Sequence, residues 1–246
     1  MKKTLNINEI VWFIILVCFS YYIGSLIFTG RISLFIHPKM DGYVKFAFIF
    51  FIILSVYQLG RIFTSRKENK IKYGYVIFMV PLILGIYVNP QGLNADAAEN
   101  KGIYVNGQNH FNHEHIHDFV RINYLDKDEI ILNNKNFLDV VNELNTHTDE
   151  YKGKKVEFEG FILKEKDLDK NQFLIGRMLL SCCAADAQSI AILCQYENVK
   201  DFKQDQWVKV NGIVDSTRDK KGGRIFIIKI ENMETVDNPV NKYIYE

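Results

Sequence analysis

Three apolar runs crowd the first 90 residues, and they restrict what this chain can become more than any other feature. The first extends from Ile10 to about Thr29, interrupted only by Ser20, Gly24 and Ser25. The second extends from Tyr43 to Gly60, with Lys45 near one end. The third, Tyr73 to Val88, is shorter and carries Pro81 in its middle. A bilayer core is crossed by roughly 20 mostly apolar residues in a helix. The first two runs meet that length. The third reaches the interfaces if Ile71 and Asn89-Pro90 extend it, and Tyr73, Tyr75 and Tyr87 sit where interfacial aromatics belong. A mid-run proline is tolerated better in lipid than in water. The expectation is therefore three membrane helices within residues 1–90. A signal peptide explains only the first run, and no small-residue cleavage site follows it. Cys18 lies in a poor match to a lipoprotein box and reads as a thiol within the membrane.

Basic residues give the orientation. Arg61, Arg66, Lys67, Lys70 and Lys72 stand against Glu68 alone between the second and third runs, which predicts a cytoplasmic loop. Lys2 and Lys3 then share that side. Three crossings place everything after Pro90 outside the cytoplasm, in a multi-pass protein of the cell membrane. The topology depends on the third run: without it, the C-terminal domain is cytoplasmic.

Residues 91–118 read as a linker, rich in Asn, Gly, Ala and Asp, that ends in a His tract. Residues 119–246 read as a soluble domain. Phe119–Tyr124 and Ile130–Leu132 suit short strands. Phe137, Val140, Val141 and Leu144 recur at helical spacing. From Gly153 the period changes to two. Val156, Phe158 and Gly160 alternate with Glu157 and Glu159, and Trp207 to Val214 alternates again. Gln172–Leu180, Gln188–Tyr196 and Arg224–Val236 complete five strands, with a short polar helix at Asn198–Lys203. Three strands, a helix and two strands predict a small OB-like barrel, so the fold class is a helical membrane region joined to a mainly-β α+β domain. A β-sandwich fragment fits the same pattern. Residues 101–246 hold 20 Lys plus Arg against 24 Asp plus Glu, a net charge of −4. That balance excludes the basic footprint a nucleic-acid groove needs.

Two clusters carry metal-ligand chemistry. Cys182, Cys183 and Cys194 lie in the soluble half, with Asp186 close to the first two. Thiolates with a carboxylate favour zinc or Cu(I). A disulfide from Cys194 to Cys182 or Cys183 across neighbouring strands, or plain packing of small residues, fits the same composition. Adjacent strand residues face opposite sides, so Cys182 and Cys183 share one ion only if the chain turns there. Arg177, five residues earlier, would depress a thiolate pKa if the fold brings the two together. The second cluster is the tract His110, His113, His115 and His117, four of the six histidines in the chain, which suits weak metal capture. Trp207 reads as barrel surface or core rather than as a ligand platform. Tyr243 and Tyr245 pack on the barrel or dock a partner. There is no nucleophile elbow, Walker loop, dinucleotide fingerprint or HExxH pattern, so no enzyme is expected.

The segment Asn171-Gln172-Phe173-Leu174-Ile175-Gly176-Arg177-Met178, followed by Ser181-Cys182-Cys183-Ala184-Ala185-Asp186-Ala187, resembles a bacterial family of permease subunits of the YcgQ type. Tyr151–Val156, Asp205–Gly212 and Asn238–Tyr245 agree with it, as do the apolar runs. The resemblance covers nearly the whole chain, and its double-cysteine motif is the specific part. It implies a small membrane-anchored partner of a larger polytopic permease, with a plausible connection to zinc. Two other readings stand beside it: a thiol redox protein using Cys182, Cys183 and Cys194, and a protein-recognition module of the cell envelope.

Overall fold

A computed structural model describes residues 6–63, 74–87, 92–93, 95–106, 124–165, 167–218, 222–237, 239 and 242–245. The chain divides into two units, Met1–Gly92 and Leu93–Glu246.

In the first unit, α1 (Ile7–Phe28) begins at Asn6, whose side chain accepts a hydrogen bond from the Asn8 amide at 3.1 Å. Its 22 residues extend about 33 Å, enough to cross a hydrocarbon core. Gly30, at φ 71°, and Pro38 turn the chain into α2 (Asp41–Arg61). The two helices are antiparallel. Phe19 stacks on Phe51 with centroids 5.6 Å apart, and Phe28 meets Phe48 at 6.2 Å. Gly24 lets the Phe48 ring approach, since a Cβ there would lie 2.8 Å from it. At the other end Gln58 bonds Glu9, and Arg61 lies 3.7 Å from the same carboxylate.

The third apolar run forms α3 (Tyr75–Tyr87), 13 residues and about 20 Å long. This corrects the expectation of three full-length spans. Among the described residues two helices are long and apolar enough to cross a membrane, and α3 is a shorter apolar helix. It runs parallel to α1. Tyr75 and Phe78 each meet Trp12 at 5.2 Å, Leu82 packs with Ile15, and Gly85 lies against Tyr22.

The second unit begins with segments that the linker reading missed. α4 (Ala95–Lys101) and β1 (Ile103–Val105) are ordered elements, and β1 pairs in parallel with a later strand. Small alanines explain why: Ala95 and Ala98 are fully buried, a packing role that hydropathy alone does not reveal. After β2 (Glu129–Ile131), α5 (Phe137–Thr146) buries Phe137, Val140, Val141 and Leu144 along one stripe, as their spacing predicts. A single turn, α6 (Thr148–Tyr151), leads into the sheet.

Five strands close a barrel-like ring: β3 (Lys155–Leu163), β4 (Gln172–Leu180), β5 (Gln188–Gln195), β6 (Trp207–Arg218) and β7 (Arg224–Thr235). The pairings run β3–β4–β5–β7–β6 and back to β3, all antiparallel except β5–β7. A 3₁₀ turn at Val199–Asp201 stands where the short polar helix was expected. β8 (Tyr243–Tyr245) adds in parallel to β4, so Tyr243 and Tyr245 belong to the sheet. Two glycines permit the tight curvature. A Cβ on Gly160 would lie 2.7 Å from the Gly176 carbonyl, and one on Gly212, at the β6 bulge, would lie 2.6 Å from the Lys229 carbonyl. The interior holds Val156, Phe158, Ile175, Ile192, Val210 and Phe226, all nearly inaccessible.

Candidate metal centre

The β4–β5 hairpin carries its cysteines at opposite ends. Cys194 faces Phe173 across the pair, inside the barrel core and fully buried. Cys182 and Cys183 follow Leu180 at the far end of β4, which lies about 23 Å along the strand from Phe173 at 3.3 Å per residue. A bridge from Cys194 to either is therefore excluded, and all four cysteines are free. Burial pushes the Cys194 thiol pKa well up, which leaves it protonated and inert.

The chain does turn where the pair requires it. After Leu180 the strand ends, and residues 181–187 form a compact turn. Asp186 builds it. Its Oδ2 accepts from the Cys182 amide at 2.9 Å and its Oδ1 from the Cys183 amide at 3.2 Å. The Asp186 amide donates back to the Cys183 carbonyl at 3.1 Å. Sequence neighbours that would face apart on a strand now face together, with the two Sγ atoms 3.7 Å apart. One ligand atom from each of Cys182, Cys183 and Asp186 lies within 4.8 Å of the others.

Lys101 closes the turn from outside, donating from Nζ to the Ala184 carbonyl at 3.0 Å and the Ala185 carbonyl at 2.8 Å. Its sequence context gave no signal of this role. The electrostatics follow from the contacts. The Cys182 thiol, hydrogen-bonded first to Asp186 and then to Cys183, is pushed up to about 12. Partial burial works to raise Asp186. The Cys182 thiol, the amides of Cys182 and Cys183, and the Lys101 charge outweigh it and lower the carboxyl.

The donor set fits zinc. With Zn–S near 2.3 Å, two thiolates on a tetrahedral ion sit about 3.8 Å apart, close to the observed sulfur separation. Each carboxylate oxygen keeps a lone pair beyond its amide contact. The same geometry is poor for a disulfide within the pair. Adjacent Cα atoms are held about 3.8 Å apart, below the 4.4–6.8 Å that a bridge prefers.

Arg177 does not serve the cysteines, which corrects the expectation of a depressed thiolate. Its buried guanidinium donates to the Glu159 carbonyl at 3.1 Å, Asn134 Oδ1 at 2.7 Å and the Tyr243 carbonyl at 3.4 Å. It lies over the Trp207 ring at 5.3 Å, and desolvation lowers it to about 10. It braces β3, β4 and β8 at the floor of a cleft of about 600 Å³, beside Asn133, Lys135, Glu157 and Glu159. The tract His110, His113, His115 and His117 lies outside the described residues.

Comparison with known proteins covers both units. Residues 107–246 match the DUF1980 C-terminal domain, and residues 11–104 match the DUF1980 N-terminal domain. The chain is also similar to the UPF0703 protein YcgQ of Bacillus subtilis (strain 168). The two are 22% identical over 279 aligned residues, covering 94% of this chain and 98% of that protein.

Proposed function

The chain belongs to the DUF1980 family, and on that premise we propose that it is a membrane-anchored accessory subunit of a permease system. Its barrel binds a divalent metal, zinc first, at Cys182, Cys183 and Asp186 and hands it to a larger polytopic partner. The observation that carries this reading is the convergence of two sulfurs and a carboxylate on one turn. Three protein ligands leave a fourth tetrahedral position for water, for a donor from the His tract, or for a partner during transfer. The ring of five strands, with β5 and β7 parallel, supports the OB-like class, in which loops at strand ends carry ligands.

The helix arrangement supports a topology. The start of α1, the end of α2 and the start of α3 meet at one level, and the basic residues that follow α2 in the sequence favour the cytoplasm for it. From there α3 runs beside α1 toward the opposite face. Local bilayer thinning accommodates its shortness. With α3 crossing in this way the barrel is extracytoplasmic; with α1 and α2 crossing and α3 not, it is cytoplasmic, and protease protection of the barrel in intact cells distinguishes the two.

The test is zinc titration of the reduced full-length protein in lipid nanodiscs. It is compared with the Cys182→Ser, Cys183→Ser double variant and with a variant lacking residues 110–118. One zinc per chain, lost in the double variant, is expected. Binding should tighten as pH rises, because Cys182, pushed up to about 12, must release its proton to the solvent when the ion arrives. Loss only on deleting 110–118 moves the site to the histidines. Absence of binding in the reduced wild type sinks the metal reading.

A further inference from the structure

α4 is fastened to the barrel at both ends. Its first amide, Ala95, donates to Asp205 Oδ1 at 2.8 Å, and just before it the Leu93 amide donates to the Tyr243 hydroxyl at 2.9 Å. Its last residue, Lys101, holds the Ala184 and Ala185 carbonyls. Beyond it, β1 pairs with β5, and buried Asn106 accepts from the Leu193 amide at 3.0 Å. The segment that enters the barrel domain from the membrane half therefore ends on the turn that presents the two thiols and the carboxylate. Ala184 and Ala185 are the residues between Cys183 and Asp186. Fixing their carbonyls fixes how the chain doubles back, and so where the three ligand atoms meet.

We propose that Lys101 is a positioning residue of the Cys182–Cys183–Asp186 turn, and that α4, through it, registers whether the turn holds a metal ion. The inference rests on the metal reading above. It makes a prediction opposite in sign to simple electrostatics. An ammonium repels a divalent cation, so removing its charge should tighten metal binding if charge alone mattered. A residue that organises the ligands from the second layer weakens binding when it is lost, typically by about 10- to 100-fold.

The experiment uses the reduced full-length protein in nanodiscs, with zinc affinity measured by chelator competition and backbone hydrogen exchange followed over residues 95–106. Lys101→Ala should bind zinc about 10-fold more weakly. Lys101→Arg, which keeps the charge and the donors, should restore most of the affinity. Zinc should slow exchange across α4 in the wild type and leave it unchanged in Lys101→Ala. If Lys101→Ala does not fold, Lys101→Gln, which keeps a neutral donor on a shorter stem, should show an intermediate loss. Equal or tighter binding in the Lys101 variants, or α4 exchange indifferent to zinc in the wild type, overturns the proposal while leaving the metal site intact. Zinc binding that ignores the Cys182→Ser, Cys183→Ser change removes the metal reading and this inference together.

Discussion

The helical unit and the barrel unit use the same apolar residue types in opposite senses. In the first, Phe46, Ile49, Ile53, Val56 and Tyr57 of α2 point outward, while the small or polar Gly24, Ser20, Ser55 and Gln58 are turned toward neighbouring helices beside Ile15, Phe19 and Phe51. In the second, Val156, Phe158, Val210 and Phe226 point inward, and the charged residues Glu157, Glu159 and Lys209 face out or to the rim. Water sorts side chains by polarity, whereas lipid does not drive apolar groups inward and leaves helix contacts to small and hydrogen-bonding residues. The inversion is therefore a statement about solvent. It agrees with α1 and α2 being long and apolar enough to cross a membrane.

The largest test of this contrast uses one residue type in both environments. Phe158 is 1% exposed and Phe46 is 70% exposed. Phe158→Ala should cost about 3–5 kcal/mol of barrel stability, the range for an aromatic removed from a packed core. Phe46→Ala should cost about 1 kcal/mol or less, because the ring is mostly exposed and stacks on Phe50 of its own helix at 6.4 Å. Chemical unfolding of full-length protein in nanodiscs reads both. A large loss at Phe46 would break the contrast and show that this face of α2 packs on protein rather than on lipid.

A second, smaller contrast separates the two ends of the β4–β5 hairpin. In the reduced, metal-free protein Cys194 should stay unlabelled by a thiol reagent until the barrel unfolds, since it is buried and protonated. Cys182 is exposed yet should label slowly near pH 8, because its thiol is pushed up to about 12, chiefly by the Asp186 carboxylate. Asp186→Asn removes that negative charge, lowers the thiol pKa, raises the thiolate fraction and should speed labelling about tenfold or more, even after the lower intrinsic nucleophilicity is counted. Mass-spectrometric labelling rates check both. Slower labelling in Asp186→Asn would show that the carboxylate activates the pair instead of holding its proton.

How legible these regions were depended on whether a local period determined them. Val156-Phe158-Gly160 and Val208-Val210-Gly212-Val214 announce strands with one inward face, and the sequence order of the strands agreed with the ring that forms. The helix at Phe137–Thr146 was equally plain from its stripe of four apolar residues. The turn at Cys182–Asp186 was legible only as a requirement: two adjacent thiols converge if the strand stops. What stopped it was Asp186 reaching back to two amides, a side-chain interaction with no periodicity to betray it. Cys194 stayed open between ligand, disulfide and core packing, because a sequence does not show at which end of a hairpin a residue lies; the fold puts it in the core. Arg177 was drawn away from the cysteines by carbonyls of β3 and β8 and by Trp207, all remote in sequence. α4 escaped notice because alanines bury without raising hydropathy enough to mark an element.

The smallest effect concerns charge at the barrel's own surface, and it refines the contrast from the water side. Asp215 on β6 lies between Lys152, at 2.8 Å, and Lys229, and accepts from the Ser216 amide. Lys152 first, then Lys229 and that amide, hold its carboxyl well below the usual range. A carboxyl depressed in the folded state adds stability above its unfolded pKa near 4, and that contribution disappears as pH falls through the folded value. The wild-type barrel should therefore lose stability progressively below pH 4, and Asp215→Asn should flatten that limb. Both lysines are more than half exposed, so solvent screens the ion pairs, and the loss at pH 7 should be about 1 kcal/mol or less. Thermal melts of both proteins from pH 2 to pH 7 make the comparison. An unchanged acid limb in Asp215→Asn would assign the acid sensitivity to the other lowered carboxyls, Glu157, which Lys209 holds down at 2.9 Å, and Asp186.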